Sequence, residues 1–73
     1  MKNVTFEGET VKVDGNKVGE MERNEDGTWT PNVMLIDAED GKHVIRQAMF
    51  PTRLDAEEAV VYHQALIDAG LVA

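Results

Sequence analysis

The sequence predicts an α+β fold, an antiparallel β-meander of three to five strands covered on one face by a single C-terminal α-helix. Four acid-glycine pairs, Glu7-Gly8, Asp14-Gly15, Asp26-Gly27 and Asp40-Gly41, punctuate alternating apolar residues ahead of Phe50. Such pairs between alternating residues are hairpin signals, because glycine and, less readily, the acid accept positive φ. After Phe50-Pro51 the apolar period lengthens from two to about 3.6 residues, the helical value. The 73 residues contain no linker, repeat or low-complexity tract, so one domain is expected over 1–73.

The strands are expected at about 3–6, 10–13, 16–23, 28–36 and 43–50. Val4 and Phe6 alternate in the first, and Val11 and Val13 alternate around Lys12 in the second. A two-residue loop at Asp14-Gly15 pairs Val11 with Val18. Gly19 then marks a bulge that re-aims Met21. The fourth strand passes through Trp29, Val33, Met34 and Leu35. Pro31 has no amide to donate, so this strand is expected to be an edge or irregular there. A two-residue loop at Asp40-Gly41 pairs Ile36 with Ile45, Met34 with Gln47 and Asn32 with Met49. The opposite face then pairs Leu35 with Arg46, Val33 with Ala48 and Pro31 with Phe50. Both faces are partly apolar and one helix covers one of them, so the open face is expected to show two or three large apolar side chains.

The helix is expected at about 55–69. Asp55 followed by Glu58 resembles a capping box, and early acids suit the positive end of the helix dipole. Gly70 supplies a left-handed C-terminal cap. Ala56, Ala59, Val60, His63, Leu66 and Ile67 share one face, and Glu57, Gln64 and Asp68 share the other. The stripe begins with small residues, so the helix can lie close to the sheet. Val61 falls on the outer face as a single exposed apolar residue. Trp29 is expected as the largest core residue under the helix, with an exposed interface anchor as the alternative. His63 is expected as a neutral core histidine bonded to backbone or Tyr62, with a pH-sensitive ligand as the alternative. His43, beside the fourth turn, is expected in solvent.

Composition narrows the chemistry. There is neither serine nor cysteine, and no threonine, nor Tyr62, is marked as an activated nucleophile. The glycines form no Walker A loop or dinucleotide fingerprint. His43 and His63 have no zinc-ligand spacing. Residues Asp37 to Gly41 lack the ligand order and glycine position of a calcium loop, and a hairpin turn explains them better. No enzyme activity, metal or cofactor is therefore expected. The hydrophobic share is 42%, more than a disordered chain carries. A domain this small buries only roughly 60% of its unfolded surface and has no disulfide to staple it. Its core must pack well or a partner must help.

Charge gives the functional lead. With 14 acids against 7 bases the net charge is −7. That opposes nonspecific nucleic-acid binding, which needs clustered Lys and Arg, and favours attraction to a basic protein surface. In a meander, alternate turns fall at the same end. Glu7, Glu9, Glu25 and Asp26, with Glu22 close by, would meet Asp55, Glu57 and Glu58 at the helix start. Only Arg23 and Arg53 offset them locally. The expected function is a small acidic protein-interaction module, an inhibitor or adaptor of the phage or mobile-element type. Its expected contacts are Glu22, Glu25, Asp26, Asp55, Glu57 and Glu58. A homodimer through the open sheet face or an edge strand is a further alternative. No apolar run reaches ~18 residues, and the start at Met1-Lys2-Asn3 lacks a signal-peptide core. A cytoplasmic location is the expectation.

Gly27-Thr28-Trp29, Ile36-Asp37, Gly41-Lys42, Phe50, Thr52, Glu58-Ala59, Tyr62 and Ala65-Leu66 resemble the pattern of the AP2-type DNA-binding domain. The arm-binding domains of phage integrases share that layout. The resemblance covers roughly residues 27–70. It implies a sheet-plus-helix fold and, as an alternative function, DNA binding from the sheet through Trp29, Lys42 and Arg46. Asn32, Val33 and Met34 stand where neighbouring sheet contacts would fall.

Overall fold

In the computed structural model, which describes residues 2–37, 41–45 and 49–70, five strands pair in chain order as an antiparallel meander. They are β1 (Val4–Glu7), β2 (Thr10–Val13), β3 (Asn16–Arg23), β4 (Trp29–Asp37) and β5 (Gly41–Ile45), followed by helix α1 (Arg53–Asp68). The α+β class and the C-terminal helix match expectation.

The second hairpin is the one Asp14-Gly15 predicts. Both residues have positive φ, 51° and 83°, the pair of values a type I′ turn needs. Val13 faces Asn16 across it. The Asp14 carboxylate accepts the Asn3 amide at 2.8 Å, and the Asp14 amide donates to the Asn3 carbonyl at 2.8 Å. The first loop is Gly8-Glu9, one residue later than Glu7-Gly8, since Glu7 faces Thr10. This register sets Val4 against Val13 and Phe6 against Val11. The earlier loop would have set Phe6 against Glu9, so apolar matching decides the register.

The β2–β3 ladder contains the expected bulge, with a different pairing. Val11 faces Gly19 and Lys12 faces Lys17, leaving Val18 as the extra residue. The expected Val11–Val18 pair is thereby replaced. A Cβ at Gly19 would lie 2.6 Å from the Val33 Cα, so the bulge brings β3 against β4 at a point where only glycine fits. Met21 then turns fully into the core.

Two expectations for β4 are corrected. It lies between β3 and β5, not at the edge. The irregularity at Pro31 is real. Trp29 exchanges backbone bonds of 2.8 Å with Phe50 on the β5 side. Two residues on, the position of Pro31 would aim an amide to that same side. The register changes across it, from Val33 facing Ile45 to Trp29 facing Phe50. The second correction concerns the loop. Asp37 faces Gly41, Ile36 faces Lys42 and Met34 faces Val44. Residues 38–40 therefore connect the strands, in place of a two-residue Asp40-Gly41 loop, and lie outside the described residues. The observed register sets Ile45 rather than Ala48 opposite the buried Val33, again matching apolar positions. Strand five is described over Gly41–Ile45, and Arg46, Gln47 and Ala48 also lie outside the described residues. Phe50 makes only an isolated bridge, to Trp29 instead of Pro31.

The helix starts earlier than the Asp55–Glu58 pattern suggests. Thr52 is the N-cap, with its hydroxyl accepting the Asp55 amide at 3.2 Å. Pro51 precedes it, which suits chain entry but not helix continuation. At the other end Gly70 takes the expected left-handed cap, φ 70°, and its amide donates to the Ile67 carbonyl at 3.0 Å. The buried face is Ala56, Val60, Gln64 and Ile67. Ala59, His63 and Leu66 are only half-buried. Gln64 is the correction here, being 2% exposed instead of outward-facing. Its amide donates to the Asp68 carboxylate at 3.0 Å, and Asp68 also accepts the Lys2 amide at 2.9 Å. A partnered amide is tolerated where a bare one would be costly.

The core lies between one sheet face and the helix. Val11, Val13, Met21, Val33 and Leu35 meet Ala56, Val60 and Ile67, with Phe6, Trp29 and Phe50 packed around them. The open face is polar along β1, β2 and β3. Strand alternation places Thr5, Glu7, Thr10, Lys12, Lys17, Glu20, Glu22, Thr30 and Asn32 there. Met34, 41% exposed, is a large apolar side chain on that face, and Ile36 and Val44 share its side of the ladder by alternation and register.

Candidate functional site

Arg53, in the first turn of α1, ties one end of the fold together. Its guanidinium donates to the Gly8 carbonyl in the first turn. It pairs with Glu57 one helical turn on, at 2.7 Å. It also lies over the Trp29 ring, 5.6 Å from the centroid, within cation–π range. Trp29 opens β4 directly after the third turn. The first turn, the third turn and the helix start therefore share an end, as a meander requires.

The acids at this end divide by what they already do. Glu57 is half-buried and neutralised by Arg53. Asp26 is structural. Its carboxylate accepts the Thr28 hydroxyl at 2.6 Å and the Thr28 amide at 3.0 Å. Those bonds hold it below its ordinary pKa of 3.8, the hydroxyl contributing most. Glu22 projects from the open sheet face, with its carboxylate 3.5 Å from the Asn32 amide nitrogen. Glu7 is also on that face and pairs with Lys12 at 2.6 Å. Glu9, Glu25, Asp55 and Glu58 are exposed. Among the described residues their carboxylates have no ion-pair partner. They are the charges left for an external surface.

Beside them runs an apolar groove of about 470 Å³ between β1 and α1. Phe6, Leu54, Val61, Tyr62 and Ala65 form its walls, and Glu57 and Glu58 its rim. Its volume falls within the roughly 300–1,000 Å³ of ligand clefts. Leu54 is 62% and Tyr62 67% exposed, so the apolar wall faces water. Sequence reasoning treated Val61 as isolated. The signal was present as a second helical stripe, with Leu54, Val61, Tyr62 and Ala65 at the spacing of one helix face. A smaller hollow of about 160 Å³ lies at the other end, between Lys2, the Asp14 turn and Gln64.

Of the residues of the alternative DNA surface, Trp29 and Lys42 are among the described residues. Trp29 packs against the core on the helix side, under Arg53. Lys42 is placed by register opposite Ile36. Arg46 lies outside the described residues. Among the described residues, no group of three His, Asp or Glu is arranged to hold a metal ion, and no helix is long and apolar enough to cross a membrane. The chain matches no protein-family model, no curated protein and no solved structure.

Proposed function

We propose that the chain is a non-enzymatic protein-interaction module, an inhibitor or adaptor, whose acidic end docks on a basic surface of a partner protein. One observation carries this reading. Arg53 fastens the first turn to the helix start, at the end that carries Glu9, Glu25, Asp55 and Glu58, four exposed carboxylates with no ion-pair partner among the described residues. An acidic end of this kind raises the encounter rate with a basic surface and fixes orientation, while the adjacent apolar groove supplies contact area. The contact set narrows accordingly. Asp26 and Glu57 support the turn and the helix start, and Glu22 faces the other side of the sheet.

The test is capture of partners from host lysate by the native protein and by a Glu9→Gln, Glu25→Gln, Asp55→Asn, Glu58→Gln variant. The reading expects basic proteins to be retained by the first, lost by the second, and released as salt rises. Equal capture by both would refute it.

A further inference from the structure

We infer that the groove between β1 and α1 receives an extended basic-apolar segment of the partner, which adds as a sixth strand to the open edge of β1. The inference rests on the proposed acidic contact and specifies what the partner presents. β1 is an edge strand. Glu7 and Thr10 flank a two-residue loop, so they exchange backbone bonds, and bonded pairs alternate from there. The Asp14 amide bonded to the Asn3 carbonyl fits the same phase. Thr5 and Glu7 therefore direct their backbone groups to β2, while Val4 and Phe6 direct theirs off the sheet. An added strand would meet two donors and two acceptors there.

The same edge borders the groove. Phe6 lies on the covered face and forms one wall, with Leu54, Val61 and Tyr62 opposite. Alternate side chains of a sixth strand would continue the covered face and enter that space. Edge strands are usually blunted by lysine, proline or a bulge. β1, Val-Thr-Phe-Glu, has none of these; it is short, at four residues, and its charge, Glu7, sits at the loop end on the open face.

Charge selects the occupant. A second copy would bring another net −7, with its own Glu58 and Asp55, against the same rim, and like charges juxtaposed there oppose association. A segment alternating Lys or Arg with Val, Ile or Leu complements both the rim and the walls. About four to six residues would span the edge at roughly 3.3 Å each.

The probe is an acetylated Lys-Val repeat peptide of about seven residues, added to the isotope-labelled full chain and followed by amide shifts. Shifts are expected at Val4 and Phe6 and along Leu54 to Tyr62. Leu54→Ser and Tyr62→Ser, both at exposed positions, should weaken binding about tenfold each. A peptide N-methylated at alternate amides cannot donate to the edge and should not bind. Asp55→Asn with Glu58→Gln should also weaken binding. If those acid variants alone weaken it, while the N-methylated peptide and the groove variants bind normally, strand addition is overturned and the acidic contact stands. If the N-methylated peptide fails to bind and the groove variants weaken binding while the acid variants do not, strand addition stands without that contact; an N-methylated peptide that binds normally overturns strand addition whatever the variants do. Absence of shifts, or tighter binding of a helix-forming peptide of equal charge, overturns the inference.

Discussion

Replacing Gly19 by alanine would set a methyl group into the backbone of the neighbouring strand. The added Cβ would run into the Asn32 carbonyl oxygen and would lie 2.6 Å from the Val33 Cα and 2.9 Å from the Asn32 carbonyl carbon. All three obstacles are main chain, so no side chain can swing away. Ordinary contact begins at 3.4 Å, which requires the Val33 Cα to recede by about 0.8 Å and the Asn32 carbonyl by more. A ladder bond of about 2.9 Å would then stretch towards 3.7 Å, past useful length. Two such bonds at about 1 kcal/mol each, with about 1–3 kcal/mol for overpacking, overlap to a loss of about 2–4 kcal/mol. A domain of this length has only about 4–11 kcal/mol in total. At about 4–8 °C per kcal/mol, the midpoint should fall by roughly 10–30 °C. Thermal melts followed by circular dichroism and by Trp29 fluorescence measure it. Gly15→Ala is the control, because its Cβ would meet nothing within 4 Å and only the positive φ would oppose it, at about 1–2 kcal/mol. A Gly19→Ala protein melting within about 3 °C of the native one, or no lower than the control, would refute the close approach.

Other consequences follow from single contacts. Thr52→Ala should lower stability by about 1 kcal/mol and Thr52→Ser by much less; a larger loss from Glu58→Gln in the same melts would return the cap to Asp55. A double-mutant cycle of Arg53→Met and Trp29→Leu should show coupling of about 0.5–1 kcal/mol, and strict additivity in denaturant titrations would dismiss the cation–π contact. The Asp26 carboxyl should titrate below 3.8. Because its folded pKa is depressed, its contribution is present above 3.8 and disappears as pH falls through the lower folded value. Asp26→Asn should therefore remove part of the acid sensitivity in that window, and a carboxyl-carbon titration at or above 3.8 would contradict the Thr28 bonds.

What could be read from the sequence depended on how local the cause was. Asp14-Gly15 and Gly70 were legible because positive φ is a property of the residue and its immediate chain. The helix face was legible at Ala56, Val60 and Ile67, while Ala59, His63 and Leu66 lie at its half-buried margin. Period alone sets Gln64 outside as a polar residue, although Asp68 one helical turn on accepts its amide and the distant Lys2 amide meets the same carboxylate. Registers were the weakest point. The Glu7-Gly8 and Asp40-Gly41 signals suggested loops that apolar matching across strands overrode, by pairing Phe6 with Val11 and Val33 with Ile45. The helix start moved because Thr52 and Asp55 offer competing caps, and Pro51 favours the earlier one. The acids were visible as a cluster, but their division was not. The Arg53–Glu57 pair spans one helical turn, but only the distant contact of Arg53 with the Gly8 turn ties that pair to the first turn and leaves Glu58 at the groove rim.

The most direct test of the acidic interaction end is the footprint of a captured basic partner on the isotope-labelled protein. The account predicts that amides of Gly8, Glu9, Glu25, Asp55 and Glu58 shift or broaden, together with Leu54 and Tyr62, and that the effect recedes as salt is added. Amides of Thr10, Lys12 and Glu20 on the open sheet face should stay in place. A footprint centred on that open face, or one indifferent to salt, would contradict it.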